Sequence, residues 1–269
     1  MTARPATPPR WERALVTGAS AGIGTALARD LARRGVHLVL AARDEQRLSV
    51  LATELTEANG IEVEVLPTDL ADPDALDALA KRITTGPLID LLANNAGLGP
   101  FGTFSTADMD DVFRTISVNV VAPVRLARAT IDRVRRDNRS GSLLTISSMN
   151  ALSPTPFHAT YGATKAFVSS FFTALHEELR GTDITTTTVL PGYVETEFVA
   201  RAGRPDALNA VPRWLVLSPE QVAAAALDAA AAGKTSHVPG IAYKISAAAL
   251  DVLPSTVGRK IYARIAPHD

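Results

Sequence analysis

Residues 13–35 read RALVTGASAGIGTALARDLARRG and join an apolar run, a glycine-rich turn and an amphipathic stretch. The run Ala14-Leu15-Val16 is short and apolar, which predicts a buried strand. From Thr25 onward the apolar residues recur with helical spacing, and Gly35 is a typical stop for a helix. The order of strand, turn and helix predicts the first unit of an α/β fold.

Gly18, Gly22 and Gly24 form the pattern Gly-x-x-x-Gly-x-Gly between this strand and this helix. Glycines allow a tight turn and a close approach of the backbone to a pyrophosphate, whose charge the helix N-terminus attracts. The commoner spacing is Gly-x-Gly-x-x-Gly, and a tight turn without a ligand is the alternative. The strand before the glycines and the helix after them favour nucleotide binding.

The second predicted strand, Val36–Ala41, ends in residues that bear on the choice of dinucleotide. An NAD site usually places an acid there for the ribose 2′-hydroxyl, but this chain has Ala42 and then Arg43. A guanidinium suits the 2′-phosphate of NADP. Asp44 is close enough to take the role of the acid, although its place before an amphipathic segment suits a helix N-cap better. We expect NADP(H), with NAD(H) and a merely solvated Arg43 as the alternatives.

Strand and helix patterns alternate through the rest of the chain. Further strands are predicted at residues 61–66, 88–93, 143–146, 184–190 and 237–239, and helices at 44–59, 72–85, 106–136, 159–180 and 218–232. This alternation predicts a doubly wound parallel sheet of about seven strands in three layers, with helices on both faces.

The chain has 269 residues, 46% of them hydrophobic, which favours one domain over residues 11–269. Residues 1–10 contain three prolines and are expected to form a flexible arm. Residues 193–217 lack a clear period and are expected to be a substrate loop. Residues 241–265 are predicted to be a helical tail around Pro254, packed in this protein or its twin rather than on a membrane.

The charge and cysteine content exclude several classes of function. With 27 basic and 28 acidic residues the net charge is −1, which gives no electrostatic footprint for nucleic acid. Cysteine is absent, so disulfides and thiolate metal sites are excluded, and we expect no metal. The amino terminus does not resemble a signal peptide, and no apolar run is long enough to span a bilayer. A cytoplasmic protein is expected.

Tyr161 and Lys165 lie four residues apart in the sequence YGATK. In a helix both side chains lie on one face, one turn apart. A nearby ammonium favours the phenolate and lowers the pKa of a phenol from its ordinary value of about 10. The pair therefore predicts proton transfer to or from a substrate oxygen. The alternative is a surface pair whose side chains only shield one another.

Other polar residues are expected near the same edge of the sheet. Ser148 follows a predicted strand, at the carboxyl end where open α/β sheets bind ligands. The run Asn94-Asn95-Ala96-Gly97 also follows a strand, and its amides either satisfy neighbouring backbone or face a ligand. Pro123 has no amide hydrogen and cannot donate a hydrogen bond to the carbonyl of Asn119, which predicts a kinked helix. Asn119 is then either a water-binding residue or an ordinary helical asparagine.

From about Arg10 to Gly240 the chain resembles the short-chain dehydrogenase/reductase family, in its shorter single-domain branch. The resemblance is carried by motifs that occur in order: Thr17-Gly18-x-x-x-Gly22-Ile23-Gly24, Asp69, Asn94 to Gly97, Asn119, Ser148, Tyr161-x-x-x-Lys165 and Pro191-Gly192. It implies a Rossmann fold, a nicotinamide cofactor, and homodimers or homotetramers packed through the long helices. Arg43 resembles the NADP-preferring members, although Ala21 stands where some of them carry a second basic residue.

The resemblance implies a role for each matching residue. Tyr161 would be the general acid–base, Ser148 would bind the substrate oxygen, and Lys165 would bind the nicotinamide ribose and lower the phenol pKa. Asn119 would hold the kinked helix and a water that relays protons to Lys165. The family spacing of thirteen residues to the tyrosine selects Ser148 over Ser147. The implied cofactor-binding residues are Gly18, Ser20, Gly22, Ile23, Gly24, Arg43, Asp69, Leu70, Asn95, Ala96, Gly97, Tyr161, Lys165, Pro191, Gly192, Val194 and Thr196.

The expected reaction interconverts a carbonyl and an alcohol on a hydrophobic small molecule, with NADP(H) as hydride carrier. Asn150, Phe157, Tyr193 and Trp214 are the candidate substrate residues, whereas His158 is expected to be a surface loop histidine. Three alternatives are an NAD-preferring alcohol dehydrogenase, a non-catalytic NADP-binding regulator, and an epimerase or dehydratase. The regulator usually lacks the tyrosine or lysine, and the last class usually carries a larger substrate domain.

Overall fold

The structure, a computed structural model, describes residues 11–204 and 206–252. Within these residues seven parallel strands form one sheet in the order β3-β2-β1-β4-β5-β6-β7. The strands are β1 (Arg13–Thr17), β2 (His37–Ala42), β3 (Val63–Pro67), β4 (Leu91–Asn94), β5 (Gly141–Ile146), β6 (Ile184–Val189) and β7 (Ser236–His237). The predicted doubly wound parallel sheet is confirmed.

Helices cover both faces of this sheet. They are α1 (Gly22–Arg33), α2 (Glu45–Asn59), α3 (Pro73–Thr85), α4 (Met109–Ile116), α5 (Ala122–Arg136), α6 (Ala159–Glu178), α7 (Glu197–Arg201), α8 (Pro219–Ala231) and α9 (Ile241–Val252). One apolar core contains residues of α1, α2 and α8, and the other contains residues of α3, α5 and α6. The sheet therefore separates two cores.

Strand residues alternate between the two cores. In β1, Ala14 and Val16 pack into the core under α1, whereas Leu15 packs into the core under α5. Successive side chains of a strand point to opposite faces, so a strand covered on both sides is apolar throughout. This is why the short run at 14–16 contains no polar residue.

The start of β4 differs from the prediction because of Asp90, which is buried and precedes the strand. Its carboxylate accepts hydrogen bonds from the amides of Glu12 (2.7 Å) and Arg13 (3.0 Å). The charged group thus ties the beginning of β1 to β4. The ladder itself begins at Leu91, three residues later than the apolar pattern predicts.

The segment predicted as one helix over 106–136 is divided. A π-helical turn, Ser117–Val121, separates α4 from α5 and lies directly before Pro123. Because proline has no amide hydrogen, the usual bond to the carbonyl four residues earlier cannot form. The irregularity predicted from Pro123 is therefore present, as a wide turn that contains Asn119.

Residues 193–217 contain more regular structure than the sequence predicts. They include α7 and two 3₁₀ turns, Ala207–Ala210 and Arg213–Leu215. The ends of the segment are joined, because the Glu195 amide donates to Leu217 O and the Leu217 amide donates to Tyr193 O, both at 2.9 Å. The two ends of the segment therefore lie next to each other.

Of the predicted segments, one lies wholly and another partly outside the described residues. The proposed arm, 1–10, lies outside them entirely. The predicted tail is helical over α9, while residues 253–265 lie outside. Among the described residues, no helix has both the length and the apolar character needed to cross a membrane.

Candidate active site

The carboxyl ends of β1, β4, β5 and β6 meet at one edge of the sheet, since all strands are parallel. Each of these strands is followed by a motif identified in the sequence. They are the glycine-rich turn after β1, Asn95 to Gly97 after β4, Ser147-Ser148 after β5 and Pro191 to Thr196 after β6. The fold therefore assembles the candidate residues in one region.

The glycine-rich turn has the backbone that the motif predicts. Gly18 (φ 65°) and Gly22 (φ 55°) adopt left-handed conformations that favour glycine. A Cβ on Gly24 would lie 2.1 Å from Gly18 O, so no side chain fits there. Helix α1 begins here with Ala21 as N-cap, no side-chain cap and no acid in its first turn. Its first amides can therefore bind an anion, and the turn fits a pyrophosphate.

Asn95 braces this turn against β4. Its side-chain amide donates to Thr17 O (2.9 Å) and Gly18 O (3.3 Å). The Thr17 hydroxyl in turn accepts from the amides of Asn95 and Ala96. Of the two roles that the sequence left open for these amides, the structural one applies to the Asn95 side chain.

Tyr161 lies in the first turn of α6 and is 8% exposed. Its hydroxyl is hydrogen-bonded to the Ser148 hydroxyl. Ser147 lies elsewhere, because its hydroxyl donates to Lys165 O and pairs with Ser169. The structure thus brings Ser148, and not Ser147, to the phenol, in agreement with the family spacing.

Burial, and not the neighbouring ammonium, controls the pKa of Tyr161. Burial raises this pKa to about 12, and the hydrogen bond from Ser148 offsets only part of that effect. Lys165 Nζ lies 5.7 Å from the centre of the phenol ring and donates to Ile146 O at 2.8 Å. Lys165 is not among the causes of the shift, so the lowering of the phenol pKa by Lys165 stays a prediction. Tyr161 is protonated at neutral pH.

Lys165 is itself buried, with 5% of its surface exposed. Burial lowers its pKa from 10.5 to about 8, because the charged form loses hydration. Two adjacent ionisable side chains with strongly shifted pKa values indicate a functional site more often than a structural pair.

Asn119 joins α6 to the loop after β4. Its carboxamide oxygen accepts from the Leu98 amide (2.8 Å), and its nitrogen donates to Leu98 O (2.7 Å) and to the Thr164 hydroxyl (2.9 Å). Thr164 also donates to Tyr161 O and was not identified from the sequence. Asn119 is therefore not an ordinary helical asparagine, because it holds the loop after β4 and helix α6 together.

A cavity of about 10 Å³ lies beneath these residues, next to Lys165, Asn119 and Pro123. Asn94 Nδ2 and Thr145 Oγ1 also belong to residues of its wall, and both atoms are buried without a hydrogen-bond partner in the described part of the chain. A cavity of this size is close to the smallest that can hold one water molecule.

The segment after β3 contains an ion pair that the sequence did not predict. Asp69 accepts from Arg114 Nη2 (2.5 Å) and from the Ala71 amide (3.0 Å). Burial opposes ionisation of Asp69, but the hydrogen bonds from Arg114 and Ala71 hold its pKa below the ordinary value, with a smaller contribution from Arg43. Arg43 is exposed at the end of β2, whereas Asp44 caps α2 through the Arg47 amide, as expected. Leu70 is buried.

The segment after β6 closes against the glycine-rich turn. A Cβ on Gly22 would lie 2.9 Å from the Thr196 methyl carbon, so the two segments touch. A Cβ on Gly192 would lie 2.1 Å from the Tyr243 ring, whose hydroxyl accepts from the Tyr193 amide (3.0 Å). Helix α9 therefore supports the loop that carries Thr196.

The candidate substrate residues are distributed unevenly. Phe157 has a left-handed backbone (φ 62°) and packs on Phe101 with ring centres 6.0 Å apart. Asn150 donates its amide to the Ser148 hydroxyl (3.1 Å). Tyr193 is 41% exposed and Trp214 is 74% exposed. Trp214 therefore lies on the outer surface and not among the rings around Tyr161.

The rings that contact Tyr161 are His158 (4.6 Å between centres) and Phe198 (5.4 Å). The expectation of a surface loop histidine at position 158 is wrong, because the imidazole is half-buried between loops. Phe198 lies two residues after Thr196, inside the predicted substrate loop, and that position was the only signal for it.

Comparison with known proteins identifies the family. The sequence model described as short chain dehydrogenase matches residues 12–206. The chain belongs to the short-chain dehydrogenase family. This short-chain dehydrogenase is 33% identical to the bovine very-long-chain 3-oxoacyl-CoA reductase over 198 residues, 72% of this chain and 62% of that protein. It is 35% identical to an uncharacterised oxidoreductase of Myxococcus xanthus over 71% of this chain and 75% of that protein.

Solved structures of the family agree with the fold. A short-chain dehydrogenase from Sphingobium yanoikuyae in complex with NADPH gives a TM-score of 0.82 at 33% identity, covering 96% of this chain and 97% of that one. A family member from Burkholderia phymatum in complex with NAD gives 0.79 at 26% identity, covering 90% and 93%. These structures support a nicotinamide cofactor, but one contains NADPH and the other contains NAD, so they do not decide between the two. The match spans about three fifths of the length of the first curated relatives.

Proposed function

We propose that this short-chain dehydrogenase interconverts a carbonyl and an alcohol on a hydrophobic small molecule with NADP(H). The observation that carries the proposal is the buried phenol of Tyr161, hydrogen-bonded to Ser148 and one helical turn from the buried Lys165. A phenol that stays protonated at neutral pH suits a proton donor to a substrate oxygen.

In the proposed mechanism each side chain has a separate task. When bound, the nicotinamide supplies the hydride. Tyr161 gives its proton to the carbonyl oxygen, and the Ser148 hydroxyl donates a hydrogen bond to the same oxygen as negative charge develops there. The His158 and Phe198 rings exclude water from the phenol. Asn119 keeps α6 in place through Leu98 and Thr164.

We assign the cofactor to the residues that fit it chemically. The first amides of α1 would bind the pyrophosphate, Lys165 the nicotinamide ribose, and Arg43 the 2′-phosphate of NADP. Asp69, Leu70 and Asn95 to Gly97 would line the adenosine side, and Pro191 to Thr196 the nicotinamide side. The cavity beside Asn119 and Lys165 supports the predicted relay water, because Asn94 and Thr145 in its wall each carry a buried polar atom without a hydrogen-bond partner in the described part of the chain.

The substrate class follows from the rings near Tyr161 and from the relatives. Phe101, Phe157 and Phe198 give the pocket an aromatic wall. Relatives and structural neighbours include very-long-chain 3-oxoacyl-CoA reductases, a 7β-hydroxysteroid dehydrogenase and an alcohol dehydrogenase specific for bulky-bulky ketones. We propose a bulky hydrophobic ketone for this chain.

A panel of ketones, aldehydes and alcohols, followed at the nicotinamide absorbance, tests the proposal and the cofactor choice together. We expect turnover with bulky ketones, and a higher kcat/KM with NADPH than with NADH. Arg43→Ala should lower kcat/KM for NADPH by about 10- to 100-fold and leave NADH nearly unchanged, because a charge-assisted hydrogen bond to phosphate is lost.

Arg47→Ala is the matched control for Arg43→Ala, because Arg47 is an exposed arginine four residues away that pairs with Glu197. An equal loss in both variants would indicate a general charge effect. A wild-type preference for NADH would contradict the role of Arg43.

The two other function classes lack support. A non-catalytic NADP-binding regulator would not need Ser148, Tyr161 and Lys165 together. An epimerase or dehydratase would keep its cofactor bound, so release of oxidised cofactor into solution during turnover excludes it. An NAD-preferring alcohol dehydrogenase is tested by the cofactor comparison.

We also propose self-association through the outer face of α4 and α6, where the apolar Phe113 and Phe167 are exposed. Sedimentation velocity should detect a dimer or tetramer, and Phe167→Glu should shift it toward the monomer because it buries a charge in the interface. A monomeric wild type would contradict this. One domain over residues 11–269 and a cytoplasmic location stay predictions.

A further inference from the structure

His158 lies three residues before Tyr161, at the N-cap of α6, and its imidazole makes two close contacts. The ring stacks on the phenol with centres 4.6 Å apart and planes inclined by 28°. Its Nε2 lies 2.8 Å from Gly99 O. One side chain thus touches both the proposed proton donor and the loop after β4.

The hydrogen bond to Gly99 fixes the form of the ring. A carbonyl oxygen only accepts, so Nε2 carries the hydrogen. Burial lowers the pKa of His158, and the charge of the Arg204 guanidinium lowers it further. The hydrogen bond to Gly99 O acts in the opposite direction but does not cancel the effect of burial. The imidazole is therefore neutral near pH 7, with its hydrogen on Nε2.

Gly99 is itself part of the wall around the phenol. A Cβ at this position would lie 2.6 Å from Tyr161 Cδ2 and 2.9 Å from Phe198 Cζ. The Gly99 peptide therefore packs directly on the phenol ring. By holding Gly99 O, His158 holds the backbone against which Tyr161 rests, in addition to stacking on it.

Three loops meet around this histidine. The Phe101 amide donates to Ala202 O (3.1 Å), and the Gly102 amide donates to Phe157 O (2.8 Å). The Phe101 ring meets the imidazole edge-on at 5.5 Å and lies under the Arg204 guanidinium at 4.5 Å. These contacts join the loops around Gly99, Phe157 and Ala202 next to His158.

We propose that His158 is a positioning residue for Tyr161, which it holds in the orientation that directs the phenol hydroxyl at the substrate oxygen, beside Ser148. This role rests on the proposed function of Tyr161. It acts through two separable contacts, ring stacking and the bond to Gly99 O. Neither contact needs His158 to exchange a proton.

Three substitutions separate the two contacts. His158→Phe keeps a ring and removes the hydrogen bond, His158→Gln keeps a donor of similar reach and removes the ring, and His158→Ala removes both. We expect kcat to fall about 10-fold in each of the first two and about 100-fold in His158→Ala, since small displacements of a reacting group are costly. KM, the Kd for NADPH and Tm should stay near wild type.

The isotope effect gives a readout that a purely structural role would not change. With NADPH deuterated at the transferred position, the primary isotope effect on kcat should increase in His158→Ala, because a mispositioned proton donor slows the chemical step. His176→Ala is the control. His176 lies on the same helix, and its Nδ1 lies 2.8 Å from Thr186 O, a bond of the same kind away from the phenol. It should keep wild-type kcat.

Two results would overturn the proposal. One is wild-type kcat in His158→Ala while Tyr161→Phe is inactive, which leaves the function of Tyr161 intact and removes only the role of His158. The other is a fall in kcat that is matched by lost NADPH affinity and lower Tm in all three variants. Turnover by Tyr161→Phe would instead refute the proposed function itself.

Discussion

Tyr161→Phe is expected to lower kcat by roughly 10³-fold or more and to leave the Kd for NADPH within about threefold of wild type. The change removes one hydroxyl from a side chain that is almost fully buried, and the phenylalanine ring can keep its contacts with His158 and Phe198. The carbonyl oxygen then loses its proton donor and one of its two hydrogen bonds. Affinity for the dinucleotide depends mainly on other residues.

Single-turnover kinetics with a ketone from the panel measure the loss, and fluorescence titration with NADPH measures binding. Ser148→Ala should give a smaller loss of about 10²- to 10³-fold, because it removes one donor to the developing charge. Ser147→Ala tests whether any hydroxyl after β5 suffices, since Ser147 bonds Lys165 O instead of the phenol. Wild-type turnover in Tyr161→Phe would show that another group gives the proton.

Lys165→Met is expected to abolish measurable turnover and, at pH 7, to increase the free energy of unfolding by about 2 kcal/mol. Burial lowers the Lys165 pKa from 10.5 to about 8, which corresponds to roughly 3 kcal/mol of lost stability while the group is charged. Methionine fills similar volume without a charge, but it leaves Ile146 O without its 2.8 Å hydrogen bond, a cost of about 1 kcal/mol.

The stability difference should depend on pH with a definite sign. Below pH 8 both the folded and the unfolded protein bind the lysine proton, and the full cost of the buried charge is present. Between pH 8 and 10.5 only the unfolded protein binds it, so wild-type stability rises with pH relative to Lys165→Met. Near pH 10.5 the advantage of the variant should be lost. Tyr161 is present in both proteins, so its titration largely cancels.

Urea unfolding of both proteins from pH 6 to 10.5 measures this difference. Lys81→Met is the control, because Lys81 is exposed on α3 and its replacement should give no such pH dependence. If Lys165→Met were less stable than wild type at pH 7, or if the difference did not shrink toward pH 10.5, the ammonium at position 165 would not carry the expected burial cost. A gain in stability with loss of turnover is typical of functional sites.

Local patterns predicted most of the architecture. The strand β1 contains the predicted run at 14–16 with one more residue at each end, and α2 and α3 begin one residue after the aspartates that cap them. Strands that are covered on both faces are apolar throughout, and helix caps require particular side chains. Both features can therefore be predicted from short stretches of sequence. The glycine motif can be predicted in the same way, because a position such as Gly24 has no room for a side chain.

The candidate site was predicted less completely. The sequence identified Ser148, Tyr161, Lys165 and Asn119, because a motif fixes residue types and spacing. It did not predict the partners Thr164, which occupies an unspecified position inside Tyr-x-x-x-Lys, and Arg114, which lies on α4 and belongs to no motif. Its assignment of the exposed Trp214 to the substrate stays a prediction.

The sequence by itself determined the family, the doubly wound sheet and the residues after each strand, because these depend on periodicity and on short motifs. Only the tertiary structure decided the electrostatics. The spacing of Tyr161 and Lys165 predicts that they are close together but not that both are buried. Burial raises the pKa of Tyr161 and lowers the pKa of Lys165. His158 became a half-buried neighbour of the phenol because loops distant in sequence meet around it.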